Sequence, residues 1–406
     1  MPVAFSKEML VRVVGAILCL FLLAEVNYPH LGPQTQLAVF GMLGLILVFG
    51  TVPLHRRCTG VVWRGLDGLL VLLTIGCFGY FAIQFDPLFS RWWVGGQSLG
   101  DQAGQVTSTD VACGVVGLVL VLEAARRTVG LTLPLLAVFF LCYAAWGPSM
   151  PDWFFPHRGY SWSRIVEQTV LQSQGVFGIA LRVMFTYVFL FVLFGTLLEQ
   201  TGATNTIIRG TRRLFSKSPG GPAKVAVISS GLMGSLSGSA VANTATTGTF
   251  TIPLMRSSGF GRSAAGGIEA AASSGGALMP PIMGAGAYMM LEILAADTPT
   301  TFMDIMKAAI LPAVLYYAAL VLSVHFFARR IGAEGEGERV VEEDAEPLSK
   351  ASLAVFGIAF LSLIVLLVSG VTPFRAVSVT LIVIGVAAAF HRDTRITGAG
   401  VMRVSR

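Results

Sequence analysis

The sequence predicts an all-α polytopic integral membrane protein, with about nine or ten spans and one re-entrant helical hairpin. Hydrophobic residues make up 54% of the 406-residue chain and charged residues 12%, against roughly a quarter charged in soluble domains. Apolar runs of about 17 to 25 residues, the length that crosses hydrocarbon, recur along the chain. Between them lies GSLSGSAVANTATTGTF, residues 234–250. Such a run of small and hydroxyl residues cannot face lipid, because irregular or Gly-rich backbone at that depth survives only within protein or around water.

The first four spans fall at 9–26, 36–54, 66–85 and 110–125, followed by 129–146 and 176–198. The first begins with Lys7 and Arg12 and lacks a small-residue cleavage site, so it reads as a retained helix. After the hydroxyl-rich region come 308–328, 353–370 and 376–390. The net charge of +6 does not indicate nucleic acid, because Lys and Arg cluster in short loops between spans. That placement is a topology signal. The five cysteines (Cys19, Cys58, Cys77, Cys113, Cys142) show no paired spacing, so neither a disulfide framework nor a zinc site is expected.

Orientation follows from the basic residues. With the N-terminus inside, Arg56, Arg57, Arg64, Arg126 and Arg127 are cytoplasmic, as are Arg209, Arg212, Arg213, Lys217 and Lys224. If residues 225–254 crossed once, Arg256, Arg262, Arg329, Arg330, Arg339 and Lys350 would all lie outside. A hairpin that enters and leaves on the cytoplasmic face returns them inside. Of the 28 Lys and Arg, only Arg91, Arg158, Arg164, Lys307 and Arg375 then lie outside, with Arg182 in a span. Charge parity alone therefore argues for the hairpin.

Its residues suggest a chemistry. Ser235, Ser237, Ser239, Asn243, Thr244, Thr246 and Thr247 offer neutral oxygens, and Gly234 and Gly238 allow a tight tip. A second interruption, ASSGGALMPPIMG at 272–284, breaks an apolar span at Gly275-Gly276 and Pro280-Pro281. Broken helices point to a transporter's binding site. Ser273, Ser274, Gly275 and Gly276 extend the set of oxygens and close backbone, and hard cations such as sodium take oxygen ligands. Small-residue patterns also pack ordinary membrane helices, which is the competing reading for any single Ser or Gly. Glu269, just before the break, reads as a pathway charge or a helix-end cap. Arg182 reads as a snorkelling residue near its span's outer start. Asp110, Glu25 and Asp67 fall at span ends and need no functional role.

The outside loops 86–105 and 148–174 mix Trp92, Trp93, Trp153, Phe154, Phe155, Tyr160 and Trp162 with polar residues. They suit the membrane interface or the docking of an external protein. The inside segment 331–350, rich in Glu, reads as a solvated linker. The chain carries no HExxH, GxSxG or P-loop motif, so neither an intramembrane enzyme nor an ATP-driven pump is indicated.

The stretches GSLSGSAVANTATTGTFTIPLM and GFGRSAAGGIEAAASSGGALMPPIMGAGAYMM closely resemble the large membrane subunit of tripartite ATP-independent periplasmic (TRAP) transporters, particularly the fused permeases of the TAXI branch. The resemblance covers roughly residues 169–331; residues 1–128 match the fused small subunit only in span count and position. It implies a sodium-coupled elevator-type secondary transporter in the bacterial inner membrane. Such a permease receives an organic acid, such as a C4-dicarboxylate or 2-oxo acid, from a periplasmic solute-binding protein, with sodium as coupling ion and no other cofactor. By that resemblance Ser235 to Ser239, Asn243, and Ser273 to Gly276 with Pro280 and Pro281 are site positions.

The expected organisation is a four-helix small-subunit-like region at 1–128 and a first repeat at 129–330, with the hairpin at 225–254 and the broken helix at 263–296. The linker at 331–350 and further spans with a basic tail at 351–406 complete it. The family's large subunit has two inverted repeats, and only the first is legible here. The expectation is therefore a fragment, a truncated reading frame or one part of a split permease, incomplete alone, in the last case with a separately encoded second repeat as partner. The alternative is a non-transporting membrane scaffold that docks the solute receptor.

Overall fold

The structure, a computed structural model, describes residues 7–54, 61–102, 104–215, 218–295, 297–333 and 350–389. Cys58, Arg56, Arg57 and Lys217, most of the acidic linker and the basic tail lie outside the described residues. Two compact units meet at Phe185 and Thr186, a different division from the one that the sequence suggests at Thr128.

In the first unit, α1 (Lys7–Asn27), α2 (Pro33–Thr51), α3 (Val61–Phe85) and α4 (Ser108–Thr128) follow the predicted spans. Pro33 opens α2 at the position where its missing N–H costs nothing. Thr107 and Asp110 form a reciprocal capping box at the start of α4. Asp110 also accepts from the Tyr80 hydroxyl at 2.5 Å. Glu25 accepts from the backbone of His30 and Leu31 and from Gln36, which ties the α1–α2 turn. Edge-on contacts of Phe177 with Phe78, Phe81 and Phe85 fill the unit's interior.

The run 129–146 folds as α5 (Thr132–Ala145), 14 residues, shorter than the roughly 20 that a crossing needs. Gly130, at φ +104°, ends the preceding helix in a conformation that favours glycine. Gly147 and Pro148 stop α5 at the other end. The predicted loop 148–174 contains α6 (Trp162–Val166), capped by Ser161 and continued by a π turn, Glu167–Leu171.

One span runs from Ile179 to Gln200 as α7 (Ile179–Val183), a π turn and α8 (Phe189–Gln200). Half-buried Arg182 sits one turn into it, as the sequence suggests. The second unit continues with α9 (Ala203–Phe215), which the sequence reading leaves as a loop. Its Ala203, Ile207, Ile208 and Thr211 are buried, while Arg209, Arg212 and Arg213 carry its polar side, the stripe of an amphipathic helix. Next come α10 (Gly221–Ser237), α11 (Ala240–Ser257), α12 (Arg262–Gly275) and α13 (Ala285–Leu294). They are followed by α14 (Phe302–Ile331), α15 (Lys350–Val368) and α16 (Pro373–Ala389). Lys224, which the sequence places in a loop, is buried in the first turn of α10, with Nζ on the Ser218 hydroxyl and 2.9 Å from His325 Nδ1.

Among the described residues, seven helices are long and apolar enough to cross a membrane, and α5, α13 and α16 are shorter apolar helices. The chain is a polytopic α-helical membrane protein. The second unit's core is built around small residues, with Ala223, Ala226, Ala265 and Ala272 fully buried beside Met255, Tyr317 and Val324. Small side chains let α10, α11, α12 and α14 approach closely, the usual device for packing helices in lipid.

Candidate functional site

The hairpin turns on Gly238, at φ +60°, between α10 and α11. Ser239 caps α11 by accepting from the backbone N–H of Ala242 at 3.3 Å. A Cβ on Gly238 would overlap the carbonyl oxygen of Met283, so the hairpin tip rests on the break between α12 and α13. The same holds deeper down, where a Cβ on Gly234 would overlap the Cα of Gly276. Two backbones touch there, which only glycine permits. The break itself runs through a short 3₁₀ turn, Gly276–Leu278, and a cis peptide between Pro280 and Pro281.

Beneath this contact, Glu269 on α12 is fully buried. Its Oε1 lies 3.1 Å from Ser230 Oγ of α10, 2.5 Å from Thr247 Oγ1 of α11 and 3.1 Å from Ser273 Oγ of its own helix. Its Oε2 lies 2.5 Å from Thr251 Oγ1. Each hydroxyl carries one proton, and Thr247 and Thr251 also lie within reach of the carbonyls of Asn243 and Thr247. Protons are therefore scarce around this carboxyl. Among the described residues, Asp67, Glu123 and Glu167 each pair with an arginine, and Glu269 does not.

Asn243, also buried, donates from Nδ2 to the carbonyl of Ser230 at 2.8 Å. Its Oδ1 is buried with no hydrogen-bond partner. An orphaned buried acceptor is costly and asks for a donor or a cation. The lower edge of the break is held from α14, where the hydroxyls of Tyr316 and Tyr317 donate to the carbonyls of Ala271 at 2.7 Å and Ala272 at 3.0 Å.

The structure thus brings Asn243, Thr247, Ser273, Gly276 and Glu269 together beneath the hairpin tip, while Gly275 packs against Tyr316 and Tyr317 of α14. It separates others. Thr246 and Ser274 donate to the carbonyls of their own helices at 2.9 and 2.7 Å, on faces turned away from Glu269. Ser235 donates back to Leu232 at 2.7 Å, and Ser237 and Ser239 serve the turn. Pro280 and Pro281 lie in the break itself, between the Gly276–Leu278 turn and α13. Ser230, Thr251, Tyr316 and Tyr317 are functional candidates that the sequence reading missed. A signal for Thr251 existed: Asn243, Thr247 and Thr251 recur every four residues, and so do Glu269 and Ser273, the spacing of one helix face. The tyrosines lie far away in sequence and carry no such mark.

A helical hairpin resting on a broken helix, with a buried carboxyl and an orphaned amide oxygen at their contact, is the arrangement in which transporter folds build their sites. The family model described as "Tripartite ATP-independent periplasmic transporter, DctM component" matches residues 116–404, well over half of the chain, and the chain belongs to that family. The 2,3-diketo-L-gulonate TRAP transporter large permease protein YiaN of Escherichia coli is 29% identical over 153 residues, 38% of this chain and 35% of that protein. A putative TRAP transporter large permease protein of Haemophilus influenzae is 26% identical over 141 residues, 35% of this chain and 32% of its own length. The chain thus spans about a third of the length of the curated relatives it matches.

Proposed function

We propose that this chain is the permease component of a sodium-coupled secondary transporter for an organic acid delivered by a periplasmic solute-binding protein. In this reading it sits in the bacterial inner membrane with its N-terminus in the cytoplasm, and it transports rather than catalyses. The hairpin α10–α11 enters and leaves on the cytoplasmic side, as the basic-residue count favours. Asn243 carries the reading, because its buried Oδ1 has no partner and sits between the hairpin tip and the helix break. A sodium ion there would take Oδ1 as an oxygen ligand and would offset the buried Glu269, which its hydroxyl donors leave without a countercharge. The relative named for 2,3-diketo-L-gulonate favours a 2-oxo acid over a C4-dicarboxylate.

The test is uptake into proteoliposomes containing this chain with its cognate binding protein, using labelled 2-oxoglutarate, 2,3-diketogulonate and succinate, with and without a sodium gradient. Sodium-dependent uptake that disappears in Asn243→Ala supports the reading. Uptake indifferent to sodium, or sodium dependence unchanged in Asn243→Ala, refutes the sodium site. Receptor binding without any uptake would support the scaffold instead.

A further inference from the structure

The first unit contains a cleft of about 1030 Å³ between α4, α5 and α6, at the upper end of the range for small-molecule sites. One end of it is hydrocarbon, lined by Leu118 and Leu122 of α4 and Phe140 and Leu141 of α5. The other end is polar and basic, lined by Arg158, Tyr160, Ser161 and Arg164. That end lies beside Trp146 and Trp162, half-exposed rings 6.2 Å apart, residue types that favour the membrane–water boundary. The apolar wall extends from Ala144 back to Ala137 along α5, about 10 Å at the helical rise.

The charges at the polar end do not cancel. Arg164 is held by Glu167 at 3.1 Å. Arg158 lies over the Tyr160 ring at 5.5 Å, and among the described residues no carboxylate lies within ion-pair distance of it. One guanidinium is therefore left in the lining of the cleft, on the side of the Trp146–Trp162 pair, next to a slot that suits an alkyl chain.

We infer that this cleft binds a phospholipid with an anionic headgroup, phosphate on Arg158 and acyl chain between α4 and α5. The acyl chain covers the face of α5 that lines the cleft, Ala137, Phe140, Leu141 and Ala144, on which Phe140 is otherwise 57% exposed. The site is independent of the transport reading.

The experiment uses the full chain in phosphatidylcholine vesicles doped with phosphatidylglycerol or phosphatidylcholine carrying a photoactivatable acyl chain, with crosslinks mapped by peptide mass spectrometry. Crosslinks should concentrate on Leu118, Leu122, Phe140 and Leu141, about fivefold stronger for phosphatidylglycerol, the factor expected for one basic side chain at the surface. Arg158→Gln should remove that preference and Arg158→Lys should keep it, and both lie in an exposed loop where folding is not at stake. Ala137→Trp, which fills the slot, should abolish the localised crosslinks. Excess glycerol 3-phosphate should not compete, because the headgroup alone lacks the acyl anchor. Equal labelling by both lipids, a preference that survives Arg158→Gln, labelling spread evenly along all spans, or competition by glycerol 3-phosphate would each overturn the proposal.

Discussion

Glu123 and Glu269 are both carboxylates set within apolar helices, and the fold stabilises them in opposite ways. Glu123, near the end of α4, meets Arg126 and Arg127 at 2.7 Å each. Arg127, whose side chain is fully buried, adds Asp67 at 2.7 Å and lies over the Phe49 ring at 5.1 Å. The cluster pairs two carboxylates with two guanidiniums, so its formal charges balance, with Arg127 Nη2 left as a buried donor without a partner. Glu269 receives only neutral hydroxyls, all of them from the hairpin and its own helix. A cluster that balances its own charge is a structural staple, whereas the carboxyl of Glu269 has only neutral partners, and it is there that the proposed function puts the cation.

The largest effect that could break this comparison is Arg127→Ala. It leaves Asp67 and Glu123 with one guanidinium fewer and should cost about 3–5 kcal/mol, read from thermal unfolding of the purified protein, with no dependence on sodium. Next is the response to sodium itself. At about 100 times its dissociation constant the ion should stabilise the wild type by about 2.7 kcal/mol. Glu269→Gln, which keeps the shape of the cage, should erase that gain in the same melting experiment. A sodium response that persists in Glu269→Gln would end the contrast.

Gly234→Ala forces a methyl group into the backbone of Gly276 and should cost about 1–3 kcal/mol, with weaker protection of α10 and α12 amides from hydrogen exchange. Tyr317→Phe removes one hydroxyl from the Ala272 carbonyl and should cost about 1 kcal/mol in the unfolding midpoint. Smallest is Thr246→Ala, on the outer side of α11, which should change stability by no more than about 0.5 kcal/mol and leave sodium dependence intact. A large loss there would mean that the outer face of the hairpin, and not the Glu269 side, carries the site.

Much of this was legible beforehand. The apolar runs located α1 to α4, the long span through Gln200, and α14 to α16, because chain length and hydropathy are enough to define a crossing. The glycine-rich tip located the turn between α10 and α11, and the Gly275-Gly276 and Pro280-Pro281 pairs located the break. The amphipathic α9 was written in the sequence too, since Ile207, Ile208 and Thr211 alternate with arginines at helical spacing; a reading by loop charge alone overlooked it. Arg126 and Arg127, which the sequence places in a loop after the fourth span, lie in the last turn of α4, and the pairing of Arg127 with Asp67 depends on how α3 and α4 lie against each other.

Composition and period by themselves determined the class, the spans and the two interrupted elements, because each is a local property of the chain. Which oxygens work together was decided only in three dimensions. The hairpin turn at Gly238 and the contact of Gly234 with Gly276 bring Ser230, Asn243, Thr247 and Thr251 over Glu269 and Ser273, while Thr246 and Ser274 turn outward. Tyr316 and Tyr317 join from 45 residues away. Helical spacing dictates which side chains share a face, but which face is buried against which depends on packing between elements, and no local pattern encodes that.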